Sequence, residues 1–237
     1  MRFSFPIYKL KRQAKLLSRN DKIKLHEALN QIAKLEGFEG WSHLASTYSK
    51  NTPAKEILKQ FTPGDLVLLG ARPGHGKTLL GLELAALAGK FHQTSHFFTL
   101  EYNEEDVFAR IEMLGINPEG FRQRVTVDTS DDISAAHIIK HLEKVSKGAL
   151  IVVDYLQLLD QKRSNAPLHK QVDVLKKFAV ERGIIIVMIS QIDRTFELSN
   201  KTLPNIDDIR LPNPVELSLF EKRCFLMDGE ITFEMAA

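Results

Sequence analysis

The apolar positions of this chain change their period near residue 66. Before it they recur at helical spacing. Ile7, Leu10, Ala14 and Leu17 fall on one face of a first helix, which Pro6 can start. Ile23, Leu25, Ala28, Leu29, Ile32, Ala33 and Leu35 form the stripe of a second, capped by Asn20 or Asp21 and ended by Gly37. Trp41, Leu44 and Ala45 open a third. A boundary is predicted at 51–53 and a linking helix over 54–61, followed by a turn at Pro63-Gly64-Asp65. Beyond that turn, short apolar runs without a helical stripe occur at 66–70, 96–100, 125–127, 149–153 and 184–190, and predict buried strands. Helical stripes at 79–90, 104–114, 133–146 and 168–181 lie between them, the second capped by Asn103. This alternation predicts an α/β fold, a mainly parallel sheet covered by helices on both faces. After Ile192 the pattern loosens. Pro204, Pro212 and Pro214 make 203–214 a loop, and 217–227 with 231–233 predicts a terminal hairpin turning at Asp228-Gly229.

Length and charge divide the chain further. Its 237 residues suit one medium domain with a small appendage: a basic helical module over 1–50, a linker helix over 51–61 and a core over 62–237. Residues 1–50 hold ten Lys/Arg against four acids, whereas the rest holds 22 against 26. That asymmetry points to a polyanion partner for the module or to a solvated face. The apolar runs are too short to cross a membrane, and the N-terminus lacks the pattern of a secretory signal. Cys224 is the single cysteine, so no intramolecular disulfide forms, and a reducing cytoplasm is the expected compartment.

The stretch LVLLGARPGHGKT, from Leu66 to Thr78, carries the chemistry. A strand breaks into a glycine-rich turn, and Gly-Lys-Thr opens a helix, which is the layout of a phosphate-binding P-loop. Gly74 and Gly76 let backbone N–H groups wrap an anion, and the helix N-terminus adds partial positive charge. Lys77 can reach the β- and γ-phosphates of ATP, and the Thr78 hydroxyl can ligate Mg²⁺. Ligands of parallel sheets sit at the carboxyl ends of strands, where Glu101, Asp154 and Gln191 also fall. Asp154 there can anchor Mg²⁺, Glu101 can activate the attacking water, and Gln191 can sense the γ-phosphate. Their plainer roles are a turn cap, a surface charge and a loop residue. His137 and His141 stand four apart on one helix, the spacing of a metal pair, but are read as facing solvent.

These segments resemble the DnaB-type replicative helicases. Ala71-Arg72-Pro73-Gly74-His75-Gly76-Lys77-Thr78 looks like their P-loop, with Ala71 in place of the first glycine. Phe98-Thr99-Leu100-Glu101 is similar to their strand with the catalytic glutamate, 150–159 (LIVVDYLQLL) to their Mg²⁺-anchoring strand, and 189–194 (ISQIDR) to their polar sensor. The resemblance spans about 62–233. It implies a RecA-like P-loop NTPase core, with ATP held by Arg72, Pro73, Gly74, His75, Gly76, Lys77, Thr78, Leu79 and Gln191. It implies Mg²⁺ at Thr78 and Asp154, and catalysis by Glu101 and Lys77. It also implies a homo-oligomeric ring, a hexamer being one form, and movement on single-stranded DNA, with Lys162 and Arg163 in a loop that meets phosphates. That loop is otherwise a surface loop. A cation given to the neighbour's nucleotide would be Arg223, then Lys222, with Arg194 and Arg210 behind. The chain departs from the family in three ways. Residues before 62 do not resemble the helical collar domain, the core is short, and 220–224 only roughly match the Lys-x-Arg motif. Two alternatives stand beside an ATP-driven DNA motor: a regulatory or recombination-type ATPase that switches assembly without unwinding, and a nucleotide-binding scaffold.

Overall fold

The computed structural model describes residues 7–50, 52–90, 94–159, 161–199, 201–211, 213–227 and 230–236. Pro6, Asn51, Pro212 and the expected hairpin turn at Asp228-Gly229 lie outside the described residues.

Helices α1 (Ile7–Asn20), α2 (Leu25–Leu35) and α3 (Trp41–Lys50) enclose a small core of their own. Leu10, Ala14, Ala28, Ala33, Leu44 and Phe38 fill it, as the helical stripes require. The expected cap of α2 is corrected. Because α1 runs through Asn20, Lys24 takes the cap position and offers no side-chain bond. Leu35, placed in the stripe by its spacing, is 82% exposed at the end of α2. Gly37 does close that end, with φ of +82°.

Helix α4 (Pro53–Leu58) starts at Thr52, whose hydroxyl accepts a hydrogen bond from the Lys55 amide at 3.2 Å. Ala54 and Ile57, with Phe61 beyond, are buried in the same apolar cluster as β1 and α5. The expected linking helix is thus packed onto the sheet layer.

Seven strands follow: β1 (Leu66–Ala71), β2 (Ser95–Thr99), β3 (Val125–Asp128), β4 (Leu150–Asp154), β5 (Ile185–Gln191), β6 (Lys222–Met227) and β7 (Glu230–Met235). They form one sheet in the order β3-β2-β4-β5-β1-β6-β7. All neighbours run parallel except β6 and β7. Alternate side chains separate to the two faces. Val67, Leu69, Val152 and Val187 pack with α5 (Lys77–Lys90), α6 (Glu104–Met113) and α7 (Pro118–Arg122). Leu66, Leu68, Ile151 and Ile186 pack with α8 (Ala135–His141) and α9 (Leu168–Arg182). β1 lies inside the sheet between β5 and β6, so the turn that follows it has neighbours on both sides.

Three local differences from the expected pattern have local causes. Helix α7 was not anticipated, although Asn117 caps it and Pro118 sits at its first turn. Helix α8 is shorter than 133–146 because the Ser134 side chain caps it late and it ends at His141. Residues 217–219 form a 3₁₀ turn, so the last hairpin begins at Lys222. Among the described residues no helix is long and apolar enough to cross a membrane.

Candidate nucleotide site

The site grows from the end of β1. Ala71 pairs with Gln191 of β5 and Leu226 of β6, and the chain must then reverse into α5. Gly74 and Gly76 make that turn at φ of +83° and +88°, a region that side chains with a Cβ strain to enter. The His75 amide donates to the Arg72 carbonyl at 3.2 Å and closes it. Helix α5 opens on Lys77 with no acid of its own in its first turn, so its positive end is free to face a ligand or carboxylates from other elements. Pro73 and Gly74 are exposed at the tip, His75, Gly76 and Leu79 are half-buried, and Lys77 and Thr78 are buried.

The ends of β2 and β4 converge on Lys77. Its Nζ lies 3.0 Å from Glu101 Oε2 and 3.6 Å from Asp154 Oδ1. The Thr78 hydroxyl donates to Asp154 Oδ2 at 2.7 Å. Asp154 is fully buried, and its Oδ1 has no hydrogen-bond partner among the described residues. Burial pushes the Asp154 pKa up, and Lys77 and Thr78 only partly offset it. Burial also pulls Lys77 down, but Asp154 and Glu101 outweigh it, so the ammonium is held charged with a raised pKa. An orphaned buried carboxylate oxygen beside a hydroxyl is the donor set of a hard divalent cation. The glycine turn and the ammonium next to it suit the phosphates that accompany such a cation.

Several neighbours were missed in the sequence. Tyr102 donates its hydroxyl to Glu101 Oε1 at 3.0 Å, so the carboxylate is gripped from both ends. The Tyr155 ring lies 5.0 Å below the Lys77 ammonium. Buried Gln157 donates to Ser190 Oγ at 2.7 Å and to the Arg210 carbonyl at 2.6 Å. The Gln191 amide approaches Gln157 Oε1 at 3.4 Å, and Arg210 Nη1 lies 3.4 Å from Gln191 Oε1. The Asp-Tyr-Leu-Gln string held the signal for Tyr155 and Gln157; nothing in the spacing marked Tyr102.

Other expected residues are elsewhere. The Arg72 guanidinium bonds Glu197 and the Ile192 carbonyl, so this side chain braces the turn from behind. Arg223 is the second residue of β6, opposite Leu68 and so three pairs short of the end of β1, and donates to the Phe220 and Leu217 carbonyls at 3.2 and 3.3 Å. Lys222, the second choice for a donated cation, is buried against Asp65, Thr62 and Gln60, so that reading is corrected. Lys162 is ion-paired with Asp132, and Arg163 is exposed beside it.

A parallel sheet with this strand order, a glycine turn at the end of β1 and carboxylates at the ends of β2 and β4 defines a P-loop NTPase core of the RecA-like type. The model of the DnaB-like helicase C terminal domain matches residues 49–118 and 112–217, most of the chain, and the chain belongs to that family. Among curated relatives, the replicative DNA helicase DnaB of Mycoplasma genitalium is 26% identical over 197 residues, covering 68% of this chain and 42% of that protein. The corresponding helicase of Geobacillus stearothermophilus is 25% identical over 198 residues, covering 70% and 43%. The chain thus spans about two fifths of the length of these relatives. The fold is shared with the ATPase domain of G40P, with a TM-score of 0.60 at 18% identity over 77% of this chain and 81% of that one. A DnaB-like replicative helicase, solved with its interactions with primase in view, aligns at 0.62 and 17% identity over 96% and 70%.

Proposed function

We propose that this chain is the motor of an ATP-driven machine that acts on single-stranded DNA, of the kind its helicase relatives represent. The observation that carries the reading is the open Asp154 Oδ1 beside Thr78 and the charged Lys77. Mg²⁺ held through Thr78 and Asp154 would neutralise charge on the phosphates. Lys77 binds the β- and γ-phosphates and exchanges its contact with Glu101 for them. Glu101, steadied by Tyr102, then takes a proton from the attacking water. Gln191 and Gln157 link the nucleotide end of β5 to Arg210. Residues 1–50 form a basic module beside a core that extends over 62–237, and the protein works in the cytoplasm as a homo-oligomeric ring. Arg223 serves the neighbour's nucleotide in that ring. In mixtures, Lys77→Ala and Arg223→Ala protein, each inactive alone, should then regain ATPase activity.

The decisive experiment measures ATPase rate with and without single-stranded DNA, alongside mass with and without nucleotide. Stimulation by DNA supports the motor. A mass change with no stimulation supports the second reading, an assembly switch. One feature favours that reading: Lys162 is tied to Asp132 and so is engaged away from DNA phosphates. Lys162→Ala with Arg163→Ala should flatten the salt dependence of DNA binding by about one unit of slope per lost phosphate contact if this loop meets DNA.

A further inference from the structure

A second polar cluster lies at the outer edge of the sheet, away from the nucleotide site. Asp128 ends β3, the last strand on that side. Helix α8 returns over it, its start fixed by the Ser134 cap, and its i, i+4 spacing brings His137 and His141 to one face. The sequence alone suggested a solvent-facing pair; the fold supplies the carboxylate that the pair lacked.

The three groups are arranged as ligands. Asp128 Oδ2 lies 2.7 Å from His137 Nε2 and 3.7 Å from His141 Nε2. All three donor atoms lie within 4.8 Å of one another. Zinc bonds of about 2.0–2.2 Å in a tetrahedron set their donors about 3.3–3.5 Å apart, so changes of about 1.5 Å or less in the donor separations complete the site. The other polar atom of two of the ligands is already held. Asp128 Oδ1 accepts the Ser130 amide at 2.9 Å, which turns Oδ2 toward the imidazoles. His141 Nδ1 lies 3.0 Å from the His137 carbonyl, which can only accept. That nitrogen therefore carries a hydrogen, which leaves Nε2 as the ring atom that faces Asp128. The rings stack at 4.1 Å, and Phe98 meets both edge-on at 6.4 Å. Asp128 and His137 side chains are 16% and 17% exposed, whereas His141 is 48% exposed, so a fourth position opens to solvent.

We propose that Asp128, His137 and His141 bind a Zn²⁺ ion that ties the end of β3 to α8, with water as fourth ligand. Two imidazoles and one carboxylate suit zinc; Mg²⁺ and Ca²⁺ prefer all-oxygen sets. The ion would also hold the 129–134 turn, from which Asp132 reaches Lys162.

The full chain, stripped of metal by a chelator, is titrated with Zn²⁺ and then with Co²⁺, in excess Mg²⁺ and without nucleotide. The expected result is one equivalent of Zn²⁺ per chain, a rise in melting temperature on binding, and the visible spectrum of tetrahedral Co²⁺ that Zn²⁺ then abolishes. His141→Ala, at a half-exposed position, should keep the fold by circular dichroism and lose at least tenfold in affinity. Asp128→Asn should weaken binding as well, and exposed His169→Ala should leave it intact. Equal Zn²⁺ binding by wild type and folded His141→Ala overturns the site. So does a Co²⁺ spectrum indistinguishable from the hydrated ion, or loss of binding in His169→Ala.

Discussion

Two lysines are buried at opposite ends of β1, and their surroundings differ in one respect. Near its start, Lys222 bonds the Gln60 carbonyl, the Thr62 hydroxyl and Asp65 Oδ2. Asp65 is closed in turn: its Oδ1 accepts the Thr62 hydroxyl at 2.9 Å and its Oδ2 the Thr62 amide at 2.6 Å. Beyond the other end, Lys77 meets two carboxylates, and one buried oxygen of Asp154 is left open. A closed buried network fixes architecture. A network that leaves a charged oxygen unbonded carries a standing penalty, which a bound cation would remove. The glycine-rich turn marks Lys77 in the sequence, but nothing local separates Lys222 from a reactive cation, and its place beside Arg223 even suggested it as a second-choice catalytic cation.

The largest effect breaks the chemistry of the open end alone. Glu101→Gln keeps the shape that Lys77 and Tyr102 grip but cannot accept the proton of water. ATP binding should persist, melting should hardly move, and turnover should fall about 10²–10⁴-fold. Turnover at the wild-type rate would move the base to another residue. The closed end should respond in stability instead. Lys222→Met leaves Asp65 buried without its cation, and chemical denaturation should register a loss of about 3–5 kcal/mol. ATP affinity of the folded fraction should stay put. A loss below about 0.5 kcal/mol would mean that the network is no more than a surface pair.

The third test asks for opposite signs from one substitution. Asp65→Asn removes a charge that is fully bonded and should destabilise by roughly 1–3 kcal/mol. Asp154→Asn removes a charge that burial disfavours, while its amide oxygen still accepts the Thr78 hydroxyl. The Asp154 pKa is raised in the folded state, so this group's contribution to stability is present at low pH and lost as pH rises. The nucleotide-free Asn variant should therefore be more stable than wild type near neutral pH, with the gap narrowing in acid. Protection by ATP with Mg²⁺ in thermal melts should shrink at the same time. Destabilisation by both substitutions would erase the distinction between the two ends.

How far the sequence could be read follows from the range of each interaction. The turn at Gly74 and Gly76, the strand ending in Asp154 and the helix capped by Asn103 are set by residues next to one another, and all were legible. Helix α4 read as a linker because its apolar residues Ala54 and Ile57 gain meaning only against α5. Lys222 and Asp65 stand more than 150 positions apart, and only the parallel pairing of β1 with β6 brings them together. Asp128 with His137 and His141 is a milder case. The i, i+4 spacing was visible, but the strand end that faces it was not.

The smallest effect concerns a carboxylate between these extremes. Glu83 projects from α5, and its stabilising partner is the neutral hydroxyl of Thr52 rather than a cation. Burial lifts its pKa from 4.5 to about 6, and Thr52 only partly opposes that. A raised carboxylate pKa contributes stability below the unfolded value and loses it as pH rises through the folded one. Wild type is therefore relieved of the penalty below about pH 4.5 and bears it in full above about pH 6–7. A shift of this size corresponds to about 2 kcal/mol, and partial access to water brings it nearer 1 kcal/mol. Glu83→Gln still accepts the Thr52 hydroxyl and carries no charge. Near neutral pH it should melt about 2–4 °C above wild type, and in acid the two should coincide. A constant offset at both pH values would assign the gain to packing between α4 and α5. No offset at either would mean that water already solvates Glu83, leaving Asp154 as the carboxylate of α5's surroundings whose charge burial penalises.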